Sequence, residues 1–466
     1  MQIIIIIGFV MALTLHQAGP HPQAPAWLTF AAIGGYLLGL IAAAALNAAA
    51  ARRLLRRDPP KPSQAGRRHR LGGFLVTCWL LGGQVAVALL GYGRWVAASD
   101  ALQRIPLAGE AAAVAPLLAG VLLVWLLGYP FYRDAHRIAA EVANPTRVWT
   151  LGQYLAYNVR HHLLFILVPV GLILLAADAI QLATARWLSP PLGDYIQLGG
   201  TLLAAAGVFF FAPLLIVHVW KTAPLPDGPL REQLQAACRR LGLTYRRLLL
   251  WRSGGVIANA GVMGLAGPVR YILLSDGLLT GAEPRDVQAI FAHEAGHVVH
   301  HHIFYGGLFA MGSISLVASA GETLGAALAW DAWMVQTAVL GGLAGVWAVG
   351  FGWISRRFER QCDVLAAWTA GPREQGDDPD RITQEGAAVF AHALQRIAQI
   401  NGLSPSQFNW RHGSIAHRAE YVLYLGSTRG TRRTIDRTVR KIKLALWLLA
   451  AAGLAGVIAI EMTVHA

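Results

Sequence analysis

Charged side chains are scarce in this chain: Asp, Glu, Lys and Arg make up 14% of its 466 residues, against about 25% in ordinary soluble domains. This deficit argues against a large soluble enzyme and against a disordered protein. Cysteine is also rare. The three thiols, Cys78, Cys238 and Cys362, are too few and too scattered for a disulfide framework or a cysteine-rich metal site.

Hydrophobic residues, in contrast, make up 55% of the chain and gather in long runs. A bilayer core of about 30 Å is crossed by a helix of roughly 20 such residues. Nine runs are candidates, at residues 1–15, 27–50, 71–93, 111–129, 163–183, 198–220, 303–320, 333–354 and 444–460. The first is short and could be a signal peptide. Because it lacks a basic leading segment and an A-x-A site, we interpret it as an anchor.

The distribution of Lys and Arg predicts the orientation of these spans. Of 39 such residues, 36 lie in the alternate connections 51–70, 130–162, 221–302 and 355–443. Lys and Arg prefer the cytoplasmic side, so both long polar segments should face the cytoplasm. The net charge of +14 is therefore explained by the orientation of the spans and not by nucleic-acid binding. The Arg-rich stretch 52–70 follows a span and has no interleaved aromatic residues, so we expect it to contact lipid and not nucleic acid.

Turn residues divide segment 221–302 into short elements. A helix is predicted over 229–241, between Pro229 and Gly242. Three β-like runs follow at 245–251, 256–263 and 269–274, separated by glycine-rich turns. Another helix should begin near Pro284 and continue beyond His297, with His300, His301 and His302 extending it.

The second predicted helix contains an H-E-x-x-H motif at 293–297. The i, i+4 spacing places His293 and His297 on one face, one turn apart, where they can share a metal ion. Glu294 can then reach a metal-bound water as general base. Gly296 costs about 1 kcal/mol relative to alanine within a helix, so it suggests close packing or a functional reason.

A catalytic zinc ion needs a third protein ligand. Glu359 can supply it, and Asp363, one turn further on, can accept the spare N–H of a ligating imidazole. Alternatively, these carboxylates belong to an ordinary juxtamembrane helix and pair with its arginines. If Glu359 is not the ligand, the next candidates are His300, His301 and His412.

Four motifs in this order resemble metallopeptidase family 48, the membrane zinc proteases of the CAAX prenyl endopeptidase and HtpX type. They are N-A-G-V-M-G at 259–264, H-E-A-G-H at 293–297, S-R-R-F-E-R-Q-C-D at 355–363 and H-G-S-I-A-H-R at 412–418. The resemblance covers about residues 225–425. Two residues depart from the family pattern: Cys362 replaces an alanine, and Gly413 replaces a proline.

The resemblance implies a gluzincin site with one Zn²⁺ per chain, held by His293, His297 and Glu359. Glu294 would be the general base, acting on a zinc-activated water. Asp363 would orient a ligating histidine.

The resemblance also assigns roles around the cleft. His412 would stabilise the tetrahedral intermediate, and Arg418 would pair with a carboxylate near the site. Asn259 and Ala260, on an edge strand, would hold the substrate backbone by β-addition.

The sequence thus predicts a mainly α, polytopic membrane protein whose zincin-like catalytic domain contains a small β-sheet. Residues 1–220 would form an N-terminal region of about six spans, 221–302 and 355–443 the two halves of the protease domain, 303–354 a transmembrane hairpin, and 444–466 a last span. The expected function is an integral membrane zinc metalloendopeptidase of the bacterial inner membrane. It would cleave peptides or membrane proteins at the cytoplasmic face. The alternative is a non-proteolytic scaffold or transporter-like protein with an inactive protease module.

Overall fold

The computed structural model describes residues 2–18, 25–143, 148–372 and 378–464. It divides into two compact units, Met1–Trp220 and Lys221–Ala466. Helices dominate both units, and one four-stranded sheet lies in the second. The predicted fold class, a mainly α-helical polytopic membrane protein with a small β-sheet, is confirmed.

The described part of the first unit is built from helices. They are α1 (Gln2–Ala18), α2 (Ala26–Leu55), α3 (Pro62–Val87), α4 (Gly93–Ala97), α5 (Asp100–Gln103), α6 (Ala108–Ala143), α7 (Leu151–Asn158), α8 (Phe165–Trp187) and α9 (Pro190–Val219). Two π-helical stretches, Ala88–Tyr92 and Val159–Leu164, continue α3 into α4 and α7 into α8. The core forms where α2 packs on α3 and α6. Glycine permits this approach: a Cβ at Gly83 would lie 2.1 Å from Cδ2 of Tyr36.

In the described residues, eight helical segments are long and apolar enough to cross a membrane. They are Ala26–Leu55, Pro62–Ala97, Ala108–Ile138, Leu151–Trp187, Leu192–Val219, His302–Ala327, Met334–Ala370 and Arg433–Ile460. Each overlaps one of the predicted runs over nearly its whole length. The first predicted run is the exception, because its apolar stretch, Ile4–Leu13, is shorter than a bilayer requires.

The second unit alternates strands and helices before returning to long helices. Its elements are β1 (Thr222–Pro224), α10 (Pro229–Arg240), β2 (Arg247–Trp251), β3 (Ala260–Met263), β4 (Tyr271–Ser275), α11 (Asp276–Gly281), α12 (Pro284–Val299), α13 (His302–Ala327), α14 (Ala332–Val346), α15 (Gly352–Ala370), α16 (Gln384–Ile400), α17 (Ile415–Ser427) and α18 (Arg433–Val464). A π-helical stretch, Trp347–Phe351, joins α14 to α15.

The sheet has the order β1-β2-β4-β3, with β2 and β4 parallel and the outer strands antiparallel. Strands β2, β3 and β4 lie within or near the three predicted runs. The additional strand, β1, has only three residues and contains Pro224, which is tolerated because β1 is an edge strand. The other edge is β3, which packs against α12.

The histidine run does not extend α12, contrary to expectation. The helix ends at Val299, His301 adopts a left-handed conformation with φ 56°, and α13 begins at His302. Histidine is among the residues that tolerate this conformation. The chain therefore turns between the motif helix and the next long helix.

Helices α13 to α15 form a hairpin that leads away from the motif helix and back to it. α13 packs along α14 and along α18. The contact with α18 is close, because a Cβ at Gly312 would lie 3.0 Å from the backbone of Ala450. α15 is continuous with the returning arm of the hairpin, so the 355–363 motif comes to rest against α12.

Candidate metal centre

Helix α12 presents the two motif histidines. Pro284 occupies its first turn and Asp286 lies at the positive end of its dipole, which favours a helix start at this point. Ten residues of the helix are buried in the core, including His293. His297, one turn later, is 24% exposed at its side chain. The motif helix is thus a core element, with His293 buried and His297 partly exposed one turn further on.

Helix α15 brings the third candidate ligand beside the histidines. Oε2 of Glu359 lies 3.4 Å from Nε2 of His293, and Oε1 lies 3.5 Å from Nε2 of His297. The three ligand atoms fall within 4.8 Å of one another. Zinc with tetrahedral ligands at 2.0–2.1 Å sets neighbouring ligand atoms about 3.3 Å apart. The donor set and its spacing therefore fit a zinc ion.

Gly296 allows this approach of α15. A Cβ at position 296 would lie 3.0 Å from Sγ and 3.2 Å from Cα of Cys362. The close packing that the sequence suggested for this glycine is thus its contact with α15. Cys362 is fully buried and fills the contact where the family pattern has alanine.

Asp363 and Arg418 complete a buried charge cluster. Oδ1 of Asp363 lies 2.9 Å from Nδ1 of His293. Arg418, on α17, donates two hydrogen bonds to the same carboxylate, at 2.9 and 2.6 Å. Its Nη2 also lies 3.5 Å from Oε2 of Glu359. The carboxylate expected near Arg418 is therefore Asp363, with Glu359 next to it.

The charges of this cluster favour a cation. Two buried carboxylates, Glu359 and Asp363, face one guanidinium, so one negative charge is left for a second cation to balance, either a protonated histidine or a metal ion. Burial would lower the pKa of His293, but the Asp363 and Glu359 carboxylates outweigh this effect and raise it to about 9. A divalent metal ion would compensate the same charge.

His412 lies against the candidate ligands from a loop before α17. Its Nδ1 is 2.9 Å from Oε1 of Glu359, and its side chain is 42% exposed. The loop closes through backbone hydrogen bonds between Asn409 and Gly413. Gly413 has φ +78°, which proline cannot adopt because its ring fixes φ near −65°. Gly413, which stands where the family pattern has proline, therefore allows a turn that proline would prevent.

Asn259 directly precedes β3, and Ala260 is its first residue. The backbone oxygen of Asn259 accepts from Ser275 N on β4, so the N–H and C=O of Ala260 point to the outer edge. There the Ala260 N–H donates to the side-chain oxygen of Asn259, at 3.0 Å. The outward groups available to an added strand are thus those of Ala260 and Val262.

Three side chains at the site were not predicted as part of it. His302 is buried, and its Nδ1 lies 3.1 Å from Nδ1 of His297. Gln361 contacts His302, with Oε1 2.9 Å from Nε2. Phe390, on α16, stacks on His293 with a ring separation of 5.9 Å. Of these three side chains, only His302 had a signal in the sequence, as a member of the histidine run 300–302.

Comparisons with known proteins find one family model and a similar solved structure. Residues 224–392 match the model of peptidase family M48. The crystal structure of S. mikatae Ste24p superimposes with a TM-score of 0.55 at 15% identity, covering 86% of this chain and all of the other. That likeness concerns the fold. No curated protein sequence matches the chain. The family resemblance carried by the motifs is confirmed by this match: residues 224–392 of the multi-pass membrane protein resemble peptidase family M48.

Proposed function

We propose that the chain is a zinc metalloendopeptidase with one Zn²⁺ held by His293, His297 and Glu359. One observation carries the proposal: the ligand atoms of these residues stand 3.4 and 3.5 Å apart across two helices. These separations are too long for good hydrogen bonds and suit tetrahedral zinc. The proposed halves of the domain, 221–302 and 355–443, supply the two helices.

The proposed chemistry is hydrolysis of a peptide bond. Zinc, when bound, would polarise the scissile carbonyl and lower the pKa of a water molecule toward about 7. Glu294, half-buried beside the first ligand, takes the proton as the water oxygen attacks the carbonyl carbon. It then gives that proton to the amine as the C–N bond breaks.

The remaining proposed roles concern the substrate. His412 approaches Glu359 through Nδ1, which donates because a carboxylate only accepts. In the proposed role His412 is an imidazolium, with a second proton on Nε2 that it donates to the developing oxyanion. The peptide would pair with the outer edge of β3 and take over the Ala260 N–H from the Asn259 side chain. The positive residues of both polar segments favour a site on the cytoplasmic side. The proposed membrane is a bacterial inner membrane, and the proposed substrates are peptides or membrane proteins.

Glu294→Gln tests the proposal directly. The variant should keep zinc at the wild-type ratio, because Glu294 is a base and not a ligand, and should cleave a casein-like or membrane substrate at least 100-fold more slowly. Zinc analysis and peptide-release assays on purified full-length protein would measure both.

The matched control is Glu232→Gln, an exposed glutamate on α10, which should leave cleavage unchanged. Near wild-type cleavage by Glu294→Gln would overturn the assignment of the base. A zinc-loaded wild-type protein that cleaves nothing in a broad peptide library would favour the non-proteolytic scaffold.

A further inference from the structure

His302 connects a proposed zinc ligand to two other elements. Its ring is 4% exposed and stacks on Phe358, with 4.0 Å between centroids and 2° between planes. Its Nδ1 lies 3.1 Å from Nδ1 of His297, and its Nε2 lies 2.9 Å from Oε1 of Gln361. Nε2 of Gln361 in turn lies 2.6 Å from Oδ1 of Asp436. A single row of hydrogen bonds therefore runs from α12 through α13 and α15 to α18.

The chemistry of the groups fixes the direction of every bond in this row. An ionised Asp436 only accepts, so the Gln361 amide donates to it through Nε2. The amide oxygen then faces His302 and must accept, which places the proton of His302 on Nε2. A neutral His302, favoured by burial, therefore accepts at Nδ1.

The donor to His302 Nδ1 is then the Nδ1–H of His297. With its proton on Nδ1, His297 carries its lone pair on Nε2, the atom 3.5 Å from Glu359. That is the tautomer a metal ligand needs, and a partner on the other ring nitrogen is the usual way in which proteins fix it. Asp363 occupies the corresponding position for His293.

We propose that His302 is a positioning residue, which holds His297 in its Nδ1–H tautomer and sets the plane of its ring. Gln361 and Asp436 hold His302 in turn. The first turn of α18 is thereby connected to the metal centre. This inference rests on the proposed function, because it explains how His297 is held in place as a zinc ligand.

Cys362 offers a different interpretation of the same neighbourhood. Its Sγ lies 3.5 Å from Nδ1 of His302, and the ligand atoms of His297, His302 and Cys362 lie within 4.8 Å of one another. These atoms could hold a second, thiolate-bound metal ion. The directed row of hydrogen bonds explains the contacts without one, so the two interpretations make opposite predictions.

The test measures zinc affinity of the full-length protein in detergent by competition with a chelator series. His302→Leu removes the acceptor and should weaken zinc binding about 10- to 100-fold. His302→Asn places an amide oxygen near the former Nδ1 and should stay within a few-fold of wild type. Cys362→Ala, which restores the residue of the family pattern, should also bind zinc normally. Melting of the metal-free proteins shows whether each variant folds.

Wild-type affinity in His302→Leu, or an equal loss in His302→Asn, overturns the inference. If His302→Leu does not fold, Gln361→Met tests the role of His302, because it removes the partner of His302 and leaves His297 untouched. Gln361→Met should weaken zinc binding several-fold, and wild-type zinc affinity in this variant would contradict the inference. A thiolate-to-cobalt charge-transfer band in the Co²⁺-substituted protein, absent from Cys362→Ala, would also refute the row. Normal zinc binding by His297→Ala would overturn the proposed function itself. If His297→Ala loses zinc while His302→Leu binds zinc with wild-type affinity, only the role of His302 is overturned.

Discussion

Gly296 and Cys362 face each other where α12 meets α15, and a Cβ on the glycine would lie 3.0 Å from the cysteine sulfur. The nearest backbone atom, Cα of Cys362, is 3.2 Å away. Because the obstacle includes backbone, a side-chain rotation cannot relieve it. The separation of the two helices, and hence the position of Glu359 relative to the histidines, depends on the absence of a side chain at 296.

We expect Gly296→Ala to weaken the metal site. Alanine gains about 1 kcal/mol in helix propensity, but overpacking costs about 1–3 kcal/mol and moves α15 outward. Zinc retained after dialysis against a chelator should fall at least several-fold. Cys362→Ala in the same chain should recover part of it by removing the sulfur. The control is Gly307→Ala on α13, where a Cβ meets open space; if both glycine variants retain zinc equally, the contact does not set the site.

Asp363→Asn should destabilise the protein as well as the metal site. The change leaves Arg418 buried without its principal partner, which typically costs about 3–5 kcal/mol. Arg418→Leu in the same chain removes the unpaired charge, so the melting temperature should recover. Zinc binding should stay about 10- to 100-fold weaker, because an amide oxygen at 363 is a weaker acceptor for the His293 N–H than the carboxylate and carries no negative charge. Wild-type zinc affinity in the double variant would contradict the role of Asp363.

Glu359→Ala should lose zinc and activity outright, because it removes the proposed third ligand. Stoichiometric zinc and full activity in this variant would contradict the assignment of Glu359.

Acid should destabilise the protein partly through His300. Burial lowers the pKa of His300 to about 4, below the unfolded value of about 6.5. The unfolded chain therefore binds the proton first, so stability falls as the pH drops from about 6.5 toward 4. Between pH 7 and 5, the free energy of unfolding should fall by about 1–2 kcal/mol less in His300→Asn than in the wild type. Melting curves at both pH values would measure it, with the exposed His301→Asn as control. An equal acid shift in wild type and His300→Asn would refute the assignment.

The cytoplasmic placement of the site is testable by cysteine labelling. In a Cys78→Ala background, a cysteine at Ser406, in the exposed loop before α17, should resist an impermeant maleimide in intact cells and react after lysis. A cysteine at Ala101, in the connection between α4 and α6, should react in intact cells. The opposite pattern would reverse the topology predicted from Lys and Arg.

Periodic and local features of the molecule were predictable from the sequence. The apolar runs located the long helices, and Pro284 marked the start of α12. The sequence also marked Gly296 as a position of either close packing or function, but did not identify its packing partner. A helix pattern describes one face of one element, whereas the identity of Cys362 as that partner depends on how α15 returns through the hairpin.

The contacts that could not be predicted join residues far apart in the chain. His302 and Gln361 are separated by 59 positions, and Gln361 and Asp436 by 75. No spacing rule relates such residues, because each lies on a different helix. The turn at His301 was also missed, since a left-handed histidine is set by the direction α13 must take and not by helix propensity.

The short junction between α12 and α13 limits where the proposed reaction can occur. His297 lies five residues before the first residue of an apolar helix long enough to span a membrane, and five residues reach at most about 18 Å even when fully extended. A zinc ion at His297 would therefore sit at a nearly constant depth near the lipid surface. The distance of a peptide bond from the bilayer would then help to determine whether it is cleaved. A bond held close to the bilayer surface can reach the zinc, whereas a bond in a rigid domain tens of ångströms from that surface cannot.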